Sequence, residues 1–170
     1  RQLLATHRPF ERVDWSRYHS VDELRYSLRS LHKYADWVRN IYIVTNCAPP
    51  AWLKDDAQVQ VISHEEIFPS DAALPSFSSH AIESCLAKID GLAEHFIYFN
   101  DDVFLANNAR KEDFFTGNGC SISFLEPYGM VVGETDSAQQ DYFNAAINGR
   151  KLIEGRFERS PTQLHQHTPL

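Results

Sequence analysis

The chain has 170 residues, enough for one domain that buries roughly 70% of the surface its unfolded form exposes. It is 43% hydrophobic and 23% charged, with no low-complexity tract, no internal repeat and no apolar run near the ~18 residues of a membrane span. A net charge of −7 excludes a general nucleic-acid binder, although residues 1–40 carry eight Lys or Arg against five acids and the remainder carries eight against eighteen. A basic entry beside an acidic body suits an anionic substrate held through a metal ion; chance asymmetry is the alternative.

In chain order, residues 1–19 lack periodicity and are expected to form an arm or loop, with a single α/β unit over 20–170. "SVDELRYSLRSLHKYADW" predicts a helix, with Leu24, Leu28, Leu31 and Ala35 as its core stripe. Ser20 and Glu23 supply the S-x-x-E capping-box pattern at its start. "NIYIVT" predicts a strand closed by "NCAPP", "AWLKDD" a short helical turn, and "VQVIS" a second strand. "HEEIFP" leads out of that strand as a loop. "SSHAIESCLAKI" predicts a second helix with Ile82, Leu86 and Ile89 inward and Gly91 as its C-cap. "HFIYF" predicts a third strand, and Asn100, Asp101 and Asp102 follow it directly. "KEDFF" reads as a turn, "SISFLE" and "GMVVGE" as two strands, and "SAQQDYFNAAINGRKLIEGRF" as a long helix or helix pair.

The alternation of helix and strand implies a mostly parallel sheet with flanking helices. Ligands of such sheets gather at the carboxyl ends of the strands. Each predicted strand here ends in polar residues: Thr45-Asn46, Ser63-His64-Glu65-Glu66, and Asn100-Asp101-Asp102. Adjacent carboxylates at a strand end suit a hard divalent cation, Mg²⁺ or Mn²⁺, shared with substrate phosphates. The same pair can also serve simply as turn formers, as can Asn100. Arg25 and Arg29 lie at i, i+4 beside the apolar stripe, spaced to clamp phosphate oxygens or to line a solvated face. His80 and Glu83 share a helix face at i, i+3 and are candidates to bind sugar or acceptor. No Gly-rich phosphate loop and no G-x-S-x-G occurs, which removes P-loop and serine-hydrolase readings. Cys47, Cys85 and Cys120 form no CxxC, against both a zinc site and a disulfide framework and in favour of a reducing, cytoplasmic setting.

Three stretches, "DELRYSLRSLHKYADWVRNIYIVTN", "LPSFSSHAIES" and "HFIYFNDDVFL", resemble the second conserved block of the Stealth proteins. "NGRKLIEGRFERSPTQLHQHTPL" resembles the start of that family's third block, with His167 and Pro169 at its His-x-Pro step. Stealth proteins are sugar-phosphate transferases of capsule and exopolysaccharide synthesis. The animal enzyme that adds N-acetylglucosamine-1-phosphate to lysosomal glycoproteins is a relative. The resemblance implies a nucleotide-sugar glycosyltransferase-like α/β domain that moves a sugar-1-phosphate from a UDP-sugar to a hydroxyl of a growing polysaccharide. It implies that Asp101 and Asp102 are catalytic and hold Mg²⁺ or Mn²⁺, and that His167 is the candidate base. Arg25, Arg29, His80, Glu83 and Asn100 would bind substrate.

The chain opens without Met, and the family's first block, with its "TWVDG"-like turn, is missing before Arg1. The fourth block is missing after Leu170. We therefore expect a piece of a longer protein, incomplete at both ends and inactive alone, in the cytoplasm with peripheral contact at the inner membrane face left open. Two alternatives stand beside this expectation: an ordinary metal-dependent glycosyltransferase that releases UDP, and a non-catalytic nucleotide-sugar or glycan-binding module.

Overall fold

The computed structural model describes residues 20–54, 56–122, 133–136 and 141–157. Helix α1 spans Glu23–Tyr34. Leu24, Leu28 and Leu31 lie half-buried along it, and Ala35 closes it fully buried, its N–H donating to Leu31 O at 2.8 Å. The expected capping box takes a different form. The Glu23 carboxylate accepts from the Ser20 hydroxyl (2.8 Å) and from Val21 N–H (2.9 Å), both ahead of the helix. Glu23 thus becomes the first helical residue rather than the third. Asp22 is the N-cap and takes a left-handed φ of 65°.

Strands β1 (Ile41–Val44) and β2 (Val59–Ile62) pair in parallel, Ile41 opposite Val59 through Val44 opposite Ile62. The "AWLKDD" stretch between them begins with a turn, closed by Leu53 N–H on Pro50 O at 2.9 Å, and Asp55 lies outside the described residues. Past β2 the predicted loop is a short helix, α2 (His64–Ile67). Ser63 N–H donates to Glu66 Oε1 at 2.7 Å, one half of a capping box. Ile67, 2% exposed, packs α2 towards the 3₁₀ turn Leu86–Lys88.

The second predicted helix is broken. Helix α3 covers only Ser79–Glu83, and the 3₁₀ turn Leu86–Lys88 follows it. Ile89 is buried, while Ile82 and Leu86 are half-buried. Gly91, at φ 76°, turns the chain back, and the Tyr42 hydroxyl donates to its carbonyl at 3.0 Å.

The third strand is a correction. Residues 95–99 run as irregular backbone with no ladder, and Phe96 and Tyr98 are nearly half exposed. β1 and β2 pair only with each other among the described residues, so no neighbouring strand meets the third one's backbone. The "KEDFF" turn is a 3₁₀ turn at Lys111–Asp113. Of "SISFLE", Ser121 bridges Phe115 antiparallel, and residues 123–132 lie outside the described residues with most of "GMVVGE". The last predicted helix forms as α4, Asp141–Arg156, with Ile147 buried. The fold class is α/β, built on a small parallel sheet. Among the described residues, no helix is long and apolar enough to cross a membrane.

Candidate functional site

Helix α1 is the spine of the site. At about 100° per residue, Ser27 and Ser30 fall on one side of the Leu24–Leu28–Leu31 stripe, and Arg25 and Arg29 fall on the other. Ser27 is 3% and Ser30 8% exposed. Both are paired, as buried hydroxyls must be. Ser27 Oγ donates to Val103 O at 2.7 Å, and Ser30 Oγ accepts from Leu105 N–H at 2.9 Å while donating to Ser27 O at 2.8 Å. Further along, Ala109 N–H donates to Tyr34 O at 2.8 Å, and Trp37 Nε1 donates to Ala109 O at 2.7 Å. The segment 103–109 is thereby laid along the helix.

Immediately before that segment the chain makes a four-residue turn. Val103 N–H donates to Asn100 O at 3.2 Å, which leaves Asp101 and Asp102 as its two central residues. Both are exposed. Among the described residues, no Lys, Arg or His pairs with either carboxylate. Asn100, Asp101 and Asp102 are among the residues lining a cleft of about 1700 Å³, with Thr45 and Cys47 from the carboxyl end of β1 also on its wall. The remaining lining is mainly apolar, including Leu28, Ile43, Leu86 and Phe96.

Two of the three polar strand ends meet directly. His64 N–H donates to Asn46 Oδ1 at 2.8 Å, and Asn46 Nδ2 donates to Glu65 Oε1 at 3.4 Å. His64 is 7% exposed, and its Nδ1 has no hydrogen-bond partner among the described residues. Burial lowers its pKa from 6.5, against the opposing pull of Glu65.

Neither Arg25 nor Arg29 is among the residues lining the cleft. Arg25 lies over the Trp52 ring at 6.0 Å, and Trp52 Nε1 donates to Asp22 Oδ1 at 3.3 Å. Arg29 lies over Tyr26 at 5.9 Å. Stacking on a ring leaves the guanidinium edges, with their N–H groups, available to an anion. His80 is exposed on α3 and Glu83 half-buried there. Glu83 Oε1 lies 3.1 Å from the hydroxyl of Tyr98, whose other partner is Asn100 Oδ1 at 2.7 Å. The Tyr98 pKa is pushed up to about 12 by burial first, then by Glu83, Asp101 and Asp102. His167 lies outside the described residues.

Sequence reasoning missed Tyr98, Ser27 and Ser30. The signal for Tyr98 was its place two residues before Asn100, which puts both side chains on one face of an extended segment. Ser27 and Ser30 gave no usable signal, because hydroxyls at i, i+3 beside an apolar stripe read equally as a solvated margin.

The donor set is one of hard oxygens: two adjacent carboxylates with no cationic partner among the described residues, on one turn that lines a cleft. Among the described residues no group of three or more His, Cys, Asp and Glu gathers to enclose a metal ion. Such a set fits a cation that takes its remaining oxygens from water or substrate phosphates, as Mg²⁺ does. This is an α/β chain that displays an acidic turn at the edge of an open cleft.

Residues 17–122 match the family described as Stealth protein CR2, conserved region 2, and the chain belongs to the Stealth family. It is 46% identical over 155 residues to the capsular polysaccharide phosphotransferase SacB of Neisseria meningitidis serogroup A, covering 91% of this chain and 28% of that protein. It is 50% identical over 153 residues to the exopolysaccharide phosphotransferase SCO2594 of Streptomyces coelicolor, covering 88% of this chain and 25% of that protein. The exopolysaccharide phosphotransferase SCO6021 of the same organism is 46% identical over 159 residues, 91% of this chain and 29% of the relative. The chain thus spans little more than a quarter of the length of these relatives.

Proposed function

We propose that this chain is part of a phosphotransferase of capsule or exopolysaccharide synthesis, with a nucleotide-sugar glycosyltransferase-like α/β domain, that moves a sugar-1-phosphate from a UDP-sugar to a hydroxyl of a growing polysaccharide. The observation that carries this reading is identity of 46% to 50% with proteins named as such phosphotransferases, extending over about nine tenths of the chain.

In the proposed reaction the acceptor oxygen attacks the phosphorus that bears the sugar. The bond from that phosphorus to the bridging oxygen breaks, and UMP leaves with the bridging oxygen. The sugar's C1–O bond stays intact, and the product is a phosphodiester. The acceptor's proton passes to a base, for which His167 is the proposed residue. Mg²⁺ or Mn²⁺ held by Asp101 and Asp102 would neutralise the donor's diphosphate. The exposed turn supports that assignment, because its carboxylates line the cleft and no Lys, Arg or His among the described residues pairs with them. Arg25 and Arg29, whose N–H groups have no acceptor among the described residues, supply cationic help for phosphate oxygens. His80 binds sugar or acceptor. The 170 residues by themselves do not complete the reaction, since named relatives use a chain more than three times longer.

The test is turnover by the full-length protein against a panel of UDP-sugars with Mg²⁺. Asp102→Asn should abolish turnover and leave the melting temperature nearly unchanged, because the side chain is exposed and makes no described contact. Wild-type turnover in that variant contradicts the assignment of the acidic pair.

A further inference from the structure

Asp101 and Asp102 sit at a turn tip, where one backbone hydrogen bond of 3.2 Å holds the loop and two like charges push apart. A tip held only in this way does not fix where its carboxylates point. The turn is, however, tethered at both ends by hydroxyls, two from α1 and one from the segment just before the turn. On its trailing side Ser27 holds the carbonyl of Val103, the turn's last residue, and Ser30 holds the N–H of Leu105. These two are the buried polar side chains of α1, placed where an alkyl group would otherwise fill the space. On its leading side the Tyr98 hydroxyl faces Asn100, the turn's first residue, at 2.7 Å and Glu83 of α3 at 3.1 Å. A phenol has one proton, so it is shared between an amide oxygen and a carboxylate. That sharing ties the first residue of the turn to a second helix.

We infer that Tyr98, Ser27 and Ser30 are positioning residues that set the direction of the Asp101 and Asp102 carboxylates, Tyr98 acting through Asn100 and Glu83; the inference rests on the cation-holding role proposed above for the acidic pair. Glu83 and Asn100, read from the sequence as substrate-binding groups, are on this account engaged with Tyr98 instead.

The experiment measures Mn²⁺ binding, from the spectroscopic signal of free Mn²⁺, together with turnover, in the full-length protein. Groups that orient a metal ligand from behind typically account for 10- to 100-fold in metal affinity. Tyr98→Phe should therefore weaken Mn²⁺ binding by about tenfold or more. Tyr42→Phe is the control for a lost structural hydroxyl, since Tyr42 donates only to the Gly91 carbonyl. It should cost similar thermal stability and leave Mn²⁺ affinity unchanged. Glu83→Gln, which keeps an acceptor for the phenol, should bind Mn²⁺ nearly as the wild type does, whereas Glu83→Ala should match Tyr98→Phe. The double variant Tyr98→Phe with Glu83→Ala should be no worse than either alone, as expected for one connected unit. Ser27→Ala supplies a second route to the same loss from the other end of the turn. If Asp102→Asn loses Mn²⁺ while Tyr98→Phe and Ser27→Ala bind it as the wild type does, positioning is overturned and the cation reading stands. If Asp102→Asn binds Mn²⁺ normally, the cation reading falls and the positioning role falls with it.

Discussion

His64 shows how a single side chain sets a pH limit. The residue is buried, its Nδ1 has no hydrogen-bond partner among the described residues, and its nearest ring neighbour is Phe68 at 6.0 Å. A charged imidazole there loses more by desolvation than it gains from the nearby Glu65 carboxylate, so burial lowers its pKa below 6.5. The unfolded chain then takes up the proton first. The stability His64 contributes is complete above about pH 6.5 and is lost as pH falls from there through the folded-state value. His64→Phe should flatten the acid side of a melting-temperature profile between pH 7 and pH 5. An acid limb equally steep in the variant contradicts this. His64 was legible in the sequence only as one of several polar residues after a strand. Its burial depends on α2, and α2 depends on the Ser63–Glu66 pairing, an S-x-x-E pattern as explicit in the sequence as the one at Ser20–Glu23.

Elements were legible where their pattern is self-contained. The Leu24, Leu28 and Leu31 stripe needs only helical spacing to declare α1, and "IYIV" and "VQVI" declare β1 and β2 by their β-branched content. The stretch "HFIYF" is rich in aromatic residues that favour strands and forms none among the described residues, because a strand needs a partner's backbone as well as a suitable sequence. Composition cannot supply that partner. The acidic turn was legible as chemistry but not as geometry: "NDD" announced hard oxygens, whereas the Ser27 and Ser30 tethers join residues more than 70 positions apart. Gly91 is not the helix C-cap expected from the sequence, since Ser84 caps α3 and Ile89 caps the 3₁₀ turn, but it does take the left-handed conformation that favours glycine. Its φ of 76° is costly for any residue with a Cβ, and that Cβ would lie 3.3 Å from the Tyr42 hydroxyl. Gly91→Ala should lower stability by about 1–2 kcal/mol, read as a shift in the urea midpoint at constant slope. An unshifted midpoint would show that the turn relaxes at no cost.

On the scale of the whole molecule, the described residues bury few large side chains and expose many. Ile67 and Ile147 are nearly inaccessible, while Phe77, Phe96, Tyr98, Phe104 and Phe157 are each more than two fifths exposed. The apolar wall of the cleft adds to this surface. Apolar surface of this extent, next to a short sheet whose outer edges pair with nothing among the described residues, favours association. The 170-residue chain should bind the dye ANS strongly and sediment as a concentration-dependent mixture. A dye-silent monomer across the same concentrations contradicts that expectation.

The proposed chemistry of the whole protein turns on which bond breaks. Attack at phosphorus and attack at the anomeric carbon both accept a UDP-sugar, and both use a divalent cation beside an acidic pair, so donor binding and metal dependence do not separate them. The nucleotide product does. Quantifying UMP and UDP by chromatography during turnover by the full-length protein is the most direct measurement. The account predicts one UMP released for each phosphodiester formed, with the sugar's C1–O bond retained. UDP as the stoichiometric product would contradict it and establish sugar transfer instead.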